Sequence, residues 1–335
     1  MSSDAVTTSG VEGIRPGRDA TTGVHAPPGG GGPRRRREGP EPEPRSYYGQ
    51  PILNKPVWES PDIPGYFFLG GLAGAGAAIG AAAQLTGRRR LARVSKLGAA
   101  AAGHLSFVGL IHDLGRRGRF LNMLRVFKVT SPMSVGSWLL AGFVPAATVS
   151  AFCDVTGLLP VAGGLATAGA ATLGPPVAAY TAALIGDTAV PAWHEGHRLM
   201  PLVFVSSGLS AAGGLALLGA PTDEVGPARV LGAAGALAEV GLSKLMEKRM
   251  GMVEEAYHEG RADVYMKAAE VLSAGGAVLA LASRRRRVLS AAAGAALIAG
   301  SAFERFGVFH AGLNSVEDPK YTVVPQRERM ARRSS

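Results

Sequence analysis

The stretch "PDIPGYFFLGGLAGAGAAIG", Pro61 to Gly80, decides the fold. Its Gly74-x-Gly76-x-x-x-Gly80 spacing is similar to the glycine-rich turn that seats a dinucleotide pyrophosphate. Such a turn needs a short strand before it, a helix opening on the glycines and an acidic residue about 20 positions later. Two prolines precede this one, and small apolar residues follow it until Gly87-Arg88-Arg89-Arg90. No residue from Gly65 to Gly87 is charged, a run long enough for a helix rising ~1.5 Å per residue to cross most of ~30 Å of hydrocarbon. The stretch therefore reads as a membrane span.

The same reading extends along the 335 residues. Mean hydropathy is +0.17, only 18% of residues are charged, and the charges fall in bursts between long apolar runs. A soluble protein would interrupt every helix with surface Lys and Glu, so the pattern is that of an all-α polytopic membrane protein. The 47 glycines agree. An interior glycine costs a helix about 1 kcal/mol relative to Ala in water. In lipid, by contrast, small residues let helix backbones approach, and Gly70-x-x-x-Gly74 and Gly76-x-x-x-Gly80 fit that use. Eight spans are predicted, at about 65–86, 94–112, 134–156, 161–187, 199–220, 228–247, 264–283 and 288–309. Gly157-Leu158-Leu159-Pro160 makes the third and fourth an antiparallel hairpin. The sixth is the least apolar, because Glu239, Lys244 and Glu247 fall near or within it.

An even number of spans puts both termini on one side. The domain organisation predicted is a tail at 1–45, an interfacial segment at 46–64 with Trp58, Tyr47 and Tyr48 near headgroup level, the eight-helix domain at 65–310, and an extramembrane tail at 311–335. The first tail is rich in Gly, Pro and charge and cannot bury enough apolar surface to fold; it also lacks the basic start and apolar core of a signal peptide. Charges in the compact loops, Arg125, Lys128 and Arg198 among them on the tail side and Arg88, Arg89, Arg90, Arg93 and Lys96 among them on the other, do not decide orientation. The arginine-rich tail and the basic "RERMARR" end place both termini in the cytoplasm, with the chain in the plasma membrane. The net charge of +10 then reflects topology and contact with anionic membrane lipids rather than nucleic-acid binding.

Ionisable residues in apolar segments raise functional hypotheses; here they are His104, His112, Asp113, Asp154, Asp187, Glu239, Glu270 and Glu304. Cofactor signatures point the other way. His104 is the one histidine well inside a predicted span, so a haem with paired axial ligands is not expected. Cys153 is the sole cysteine, so no iron–sulfur cluster is expected in this chain. His194-x-x-His197 with Glu195 has poor spacing for one helical face, and no metal site is predicted. In "IHDLGRRGRFLNMLRVFKVTSPMSVGSW", Leu121, Leu124, Val126 and Phe127 form the apolar side of a predicted amphipathic interfacial helix, with Arg116, Arg117, Arg119, Arg125 and Lys128 on the polar side.

Four stretches, in order, carry a family resemblance: "YYGQPILNKPVWESPDIPGYFFLGGLAGAGA", "HDLGRRGRFLNMLRVFKVTSPMSVGSW", "GDTAVPAWHEGHR" and "ERFGVFHAG…DPKYTVVPQRER". Together they resemble the NrfD family of polysulfide-reductase-type membrane subunits, in its actinobacterial branch. The resemblance implies eight helices, a four-helix bundle plus further helices, and a bound quinone, here menaquinone, near one face. It also implies two partners: a four-cluster ferredoxin-like iron–sulfur subunit docked on that face, and a molybdopterin catalytic subunit, formate-dehydrogenase-like in this branch. The chain itself would hold no catalytic residue. The positions implied to bind the quinone are Tyr66, Asp62 and Tyr180, although Asp62 and Ile63 stand where some members have Asn and His. His112 and Asp113 are the implied proton relay, and Arg116, Arg117, Arg119 and Arg125 the implied docking residues. If the first helix begins where the second and fourth end, Tyr66, Asp113 and Tyr180 converge. Two other readings stand beside this one. One is a passive anchor with a degenerate quinone pocket; the other is a proton translocator built on Glu239, Glu270 and Glu304.

Overall fold

Each long apolar run forms one helix, and the helices assort into two four-helix bundles. The computed structural model describes residues 52–114, 118, 120–284 and 286–334. The expectations for the 1–45 tail, for Tyr47 and Tyr48, and for Arg116, Arg117 and Arg119 lie outside the described residues. The first bundle is α1 (Asp62–Leu85), α2 (Arg89–Asp113), α4 (Pro132–Thr156) and α5 (Pro160–Gly186), with one turn, α3 (Phe120–Met123), between α2 and α4. A short α6 (Pro191–Glu195) leads to the second bundle: α7 (Met200–Gly219), α8 (Gly226–Arg249), α9 (Gly260–Ser283) and α10 (Arg287–Glu317). A 3-10 turn (Gly251–Tyr257) joins α8 to α9, and α11 (Lys320–Ser334) follows α10. Among the described residues every regular element is helical: this is an all-α polytopic membrane protein.

Seven helices are long and apolar enough to cross a membrane; α8 is not, because of its charges. It is nonetheless a 24-residue helix packed between α7 and α9, and it hides Glu239 and Glu247 inside the bundle. Its path is fixed by its neighbours. Asn314 Nδ2, near the end of α10, donates to the carbonyls of Ala256 and Glu259 at 3.0 and 2.9 Å, so α8 ends on the face where α10 ends. Lys55, just before α1, pairs with Glu317 at 2.7 Å, so α1 begins on that face too.

The two bundles are joined through α1, which touches α2, α5, α7 and α10. The joint is made of glycine. A Cβ on Gly74 would strike the backbone of Gly174 on α5, and one on Gly208 of α7 would lie 2.7 Å from the carbonyl oxygen of Gly71. Such backbone contact is open only to residues without a side chain. The Gly70-x-x-x-Gly74 pair is therefore split between partners: Gly70 faces Ser106 of α2 while Gly74 faces α5. Gly76 and Gly80 both face α2.

Three expectations change. Lys96, read as a loop residue, lies within α2, 5% exposed, where its ammonium reaches Gln84 and, at 3.1 Å, Asp154. Arg93 binds the same carboxylate at 3.1 Å, which accounts for Asp154 as a structural partner. The last long helix continues to Glu317 instead of stopping near 309, because its end is buried against Trp193, so the expected boundary at 310 falls inside α10. Among the described residues the amphipathic helix of the α2–α4 connection is the single turn Phe120–Met123; Leu121, Val126 and Phe127 are exposed, and the Phe127 ring meets Trp138 of α4 edge-on at 6.2 Å. The hairpin through Gly157 and Pro160 forms as expected.

Gly74→Val, placed against the α5 backbone, is expected to destabilise the protein by about 1–3 kcal/mol. Gly275→Ala, where a methyl meets open space, is expected to leave stability within about 0.5 kcal/mol. Thermal unfolding of the two variants in detergent measures the contrast.

Candidate functional site

A cavity of about 230 Å³ opens where α1 begins and α2 and α5 end. Tyr66 and Phe67 of α1, Asp113 of α2, and Tyr180 of α5 line it, with Met133 and Ser137 of α4 on the remaining side. The three residues expected to converge do so. Tyr66 is 2% exposed and its ring meets that of Tyr180 edge-on, with centroids 6.3 Å apart. This geometry is worth about 0.5–1.5 kcal/mol beyond burial and fixes both rings. Gly136 of α4 makes room for Tyr180, since a Cβ there would overlap the ring.

The polar groups are few and differ in how they are satisfied. The Tyr180 hydroxyl is buried and has no hydrogen-bond partner among the described residues. Asp113 is half-buried, and its Oδ1 accepts the backbone N–H of Glu59 at 3.2 Å. That bond ties the segment before α1 across the cavity, where Trp58 joins the lining. Trp58 was expected at headgroup level. Its ring stacks on buried Trp193 at 5.7 Å, and Trp193 Nε1 donates to the Val308 carbonyl at 2.8 Å.

Asp62 and His112 pair with each other. His112 Nδ1 and Asp62 Oδ2 are 2.6 Å apart, one paired group at the cavity's edge; neither residue lines it. Arg125 is exposed on the connection between α2 and α4. His194 and His197 stack on each other at 5.6 Å, and the Nδ1 of each meets a backbone carbonyl, of Gly186 and of His194 respectively. With Asp187 they line a shallow groove that shares Tyr180 with the cavity.

Every residue lining the cavity lies between Val57 and Leu184. A family model described as "Polysulphide reductase, NrfD" matches residues 51–221, more than half of the chain. The protein is a member of the NrfD family. No curated protein matches it. Membership makes this NrfD protein a multi-pass membrane protein and implies a membrane subunit of a quinone-interacting oxidoreductase complex. The match takes in the first bundle, the whole cavity and α7, and it stops before α8.

Sequence reasoning missed the apolar part of this NrfD cavity. Phe67, Met133 and the Trp58 side chain carry no chemical signature that separates them from ordinary core or interface residues. Gly136 reads as one small residue among many until Tyr180 is seen beside it.

The unpartnered hydroxyl gives a direct test. Removing a buried hydroxyl that bonds nothing in the protein costs no hydrogen bond. Tyr180→Phe is expected to unfold at or above the wild-type temperature in detergent, whereas Gly136→Val, which displaces the ring, is expected to lose about 1–3 kcal/mol.

Proposed function

We propose that the chain is the quinone-reactive membrane subunit of an oxidoreductase complex, passing electrons between a ferredoxin-like iron–sulfur subunit and menaquinone held in the cavity of Tyr66, Asp113 and Tyr180. The observation that carries this reading is the Tyr180 hydroxyl: a buried donor without a protein partner, in an apolar cavity that also presents one carboxylate. Leaving such a donor unsatisfied costs about 1–3 kcal/mol, so the site favours a ligand that brings an acceptor. A quinone carbonyl is such an acceptor, and aromatic and methionine side chains suit the rest of a quinone ring.

A quinone accepts two electrons and two protons on reduction. In this reading Tyr180 orients the ring by donating to one carbonyl oxygen. Asp113 holds a proton at Oδ2, its Oδ1 being engaged by Glu59. The Asp62–His112 pair is exposed on its histidine side and supplies protons to the cavity edge from water. Tyr66 shapes the wall and braces Tyr180. Trp58, held by Trp193, keeps water from the ring. Arg125, on the same side of the first bundle, belongs to the docking surface of the iron–sulfur subunit, and a molybdopterin subunit completes the complex. The chain sits in the plasma membrane with this face cytoplasmic, on the weight of the arginine-rich amino-terminal stretch and the basic carboxyl end.

Purified complex titrated with a menaquinone analogue tests the reading. Tyr180→Phe is expected to weaken binding about 3- to 10-fold, the equivalent of one neutral hydrogen bond. Asp113→Asn is expected to slow quinol formation by ~10²-fold or more with binding little changed. A passive anchor would bind no analogue, and neither substitution would alter turnover.

A further inference from the structure

The second bundle holds a cavity lined by ionisable side chains that nothing in the quinone reading uses. It has a volume of about 110 Å³, lies between α8, α9 and α10, and falls beyond the residues matched by the family model. At its inner end are Glu239 and Glu304, 2% and 1% exposed. Glu239 lies ten residues before Arg249, the end of α8, which is about 15 Å of helix and about half the hydrocarbon thickness. Both carboxylates line the cavity, and Glu239 Oε2 and Glu304 Oε1 have no hydrogen-bond partner among the described residues.

The neighbours define the charge. Arg305, fully buried, bonds Glu304 and donates to the Phe204 carbonyl at 2.6 Å, and its guanidinium stacks 3.7 Å from the Phe204 ring centroid. Ser273 of α9 donates to Glu239 Oε1 at 3.2 Å; Ser207 of α7 faces both carboxylates, and Tyr257 of the 3-10 turn faces Glu304. Two carboxylates therefore share one guanidinium, and the fully ionised cluster would carry one net negative charge in a buried place. One bound proton makes it neutral, which a low-dielectric interior strongly favours.

The way out is polar. Ser243 and Glu247 of α8 continue the wall toward the face where α8 ends, and Glu247 meets His258 at 3.7 Å at the mouth. The other charges there are paired: Lys244 with Glu270 at 2.6 Å, Lys267 with Asp263 at 2.8 Å. A cavity of this size with several polar groups holds more than one water.

We propose that this cavity is a proton-exchange site, in which Glu239 and Glu304 together take up and release one proton through water that reaches them past Ser243, Glu247 and His258. The proton comes from water at the mouth and returns to it; no electron moves. The site does not depend on what occupies the cavity at Tyr180, so its test uses no quinone.

Infrared spectra of the purified full-length protein in lipid nanodiscs, recorded across pH in H₂O and D₂O, read it out. The wild type is expected to show a buried carboxylic-acid carbonyl band that shifts in D₂O. Because one carboxylate and Arg305 already balance, either Glu239→Gln or Glu304→Gln alone is expected to remove that band. Filling the cavity with Ser243→Leu is expected to slow its deuterium exchange roughly tenfold or more, since exchange would then need local opening of the bundle. A wild type without the band at any pH, or a band that persists in either Gln variant, overturns the proposal. So does exchange at the wild-type rate in Ser243→Leu, a comparison that stands even if the Gln variants fail to fold.

Discussion

The backbone of α1 lies directly against the backbones of α5 and α7, and the rest of the protein is arranged around that contact. Gly74 meets Gly174 on one side and Gly71 meets Gly208 on another, close enough that a methyl on Gly74, Gly174 or Gly208 would strike the facing backbone. In a membrane no water is released when two apolar helices associate, so the attraction must come from packing, and packing is best where backbones touch. One helix is thereby shared by both bundles. The wall of the first bundle and the wall of the second are two sides of the same helix.

That sharing places the two cavities in one packed line. Tyr66 lines the first cavity, and Phe67 beside it meets the ring of Phe204 with centroids 6.0 Å apart. The Phe204 ring also meets Arg305, which bonds Glu304 at the inner end of the second cavity. Gly71 is one turn along α1 from Phe67, and a Cβ there would lie 3.4 Å from the Arg305 guanidinium, in ordinary contact. Phe67, Phe204 and Arg305 thus lie in contact between the two cavities.

Charge inside the bundles follows two patterns. At the end away from the quinone cavity, Lys96, Arg93, Asp154 and Gln84 satisfy one another, and the carboxylate of Glu224 accepts the N–H groups of Arg90 and Leu91 at the start of α2. Arg287 does the reverse at the end of α7, donating to the carbonyls of Leu217, Leu218 and Ala220. These pairings match each charge to a helix end or an opposite charge. Glu239 and Glu304 break the pattern, each with an oxygen left over and open space beside it.

Most of the fold was legible in the sequence because hydrocarbon imposes one requirement everywhere: about 20 apolar residues per crossing, hydrogen-bonded within the helix. Bursts of charge mark the ends, Gly157 and Pro160 mark a hairpin, and the "DIPGYFF" to "GDTAVPAWHEGHR" stretches are similar enough to the NrfD family to name it. The convergence of Tyr66, Asp113 and Tyr180 also followed from counting crossings. What the sequence by itself could not determine is which side chains meet across helices. The contacts of Lys96 with Asp154, of Trp58 with Trp193 and of Asp62 with His112 each join residues far apart in the chain, and no local pattern announces them. Rotation of each helix about its axis decides such contacts, and in lipid, where helices can be apolar all round, no hydrophobic stripe records that rotation. Only the packed structure, set by glycines touching glycines, fixes it.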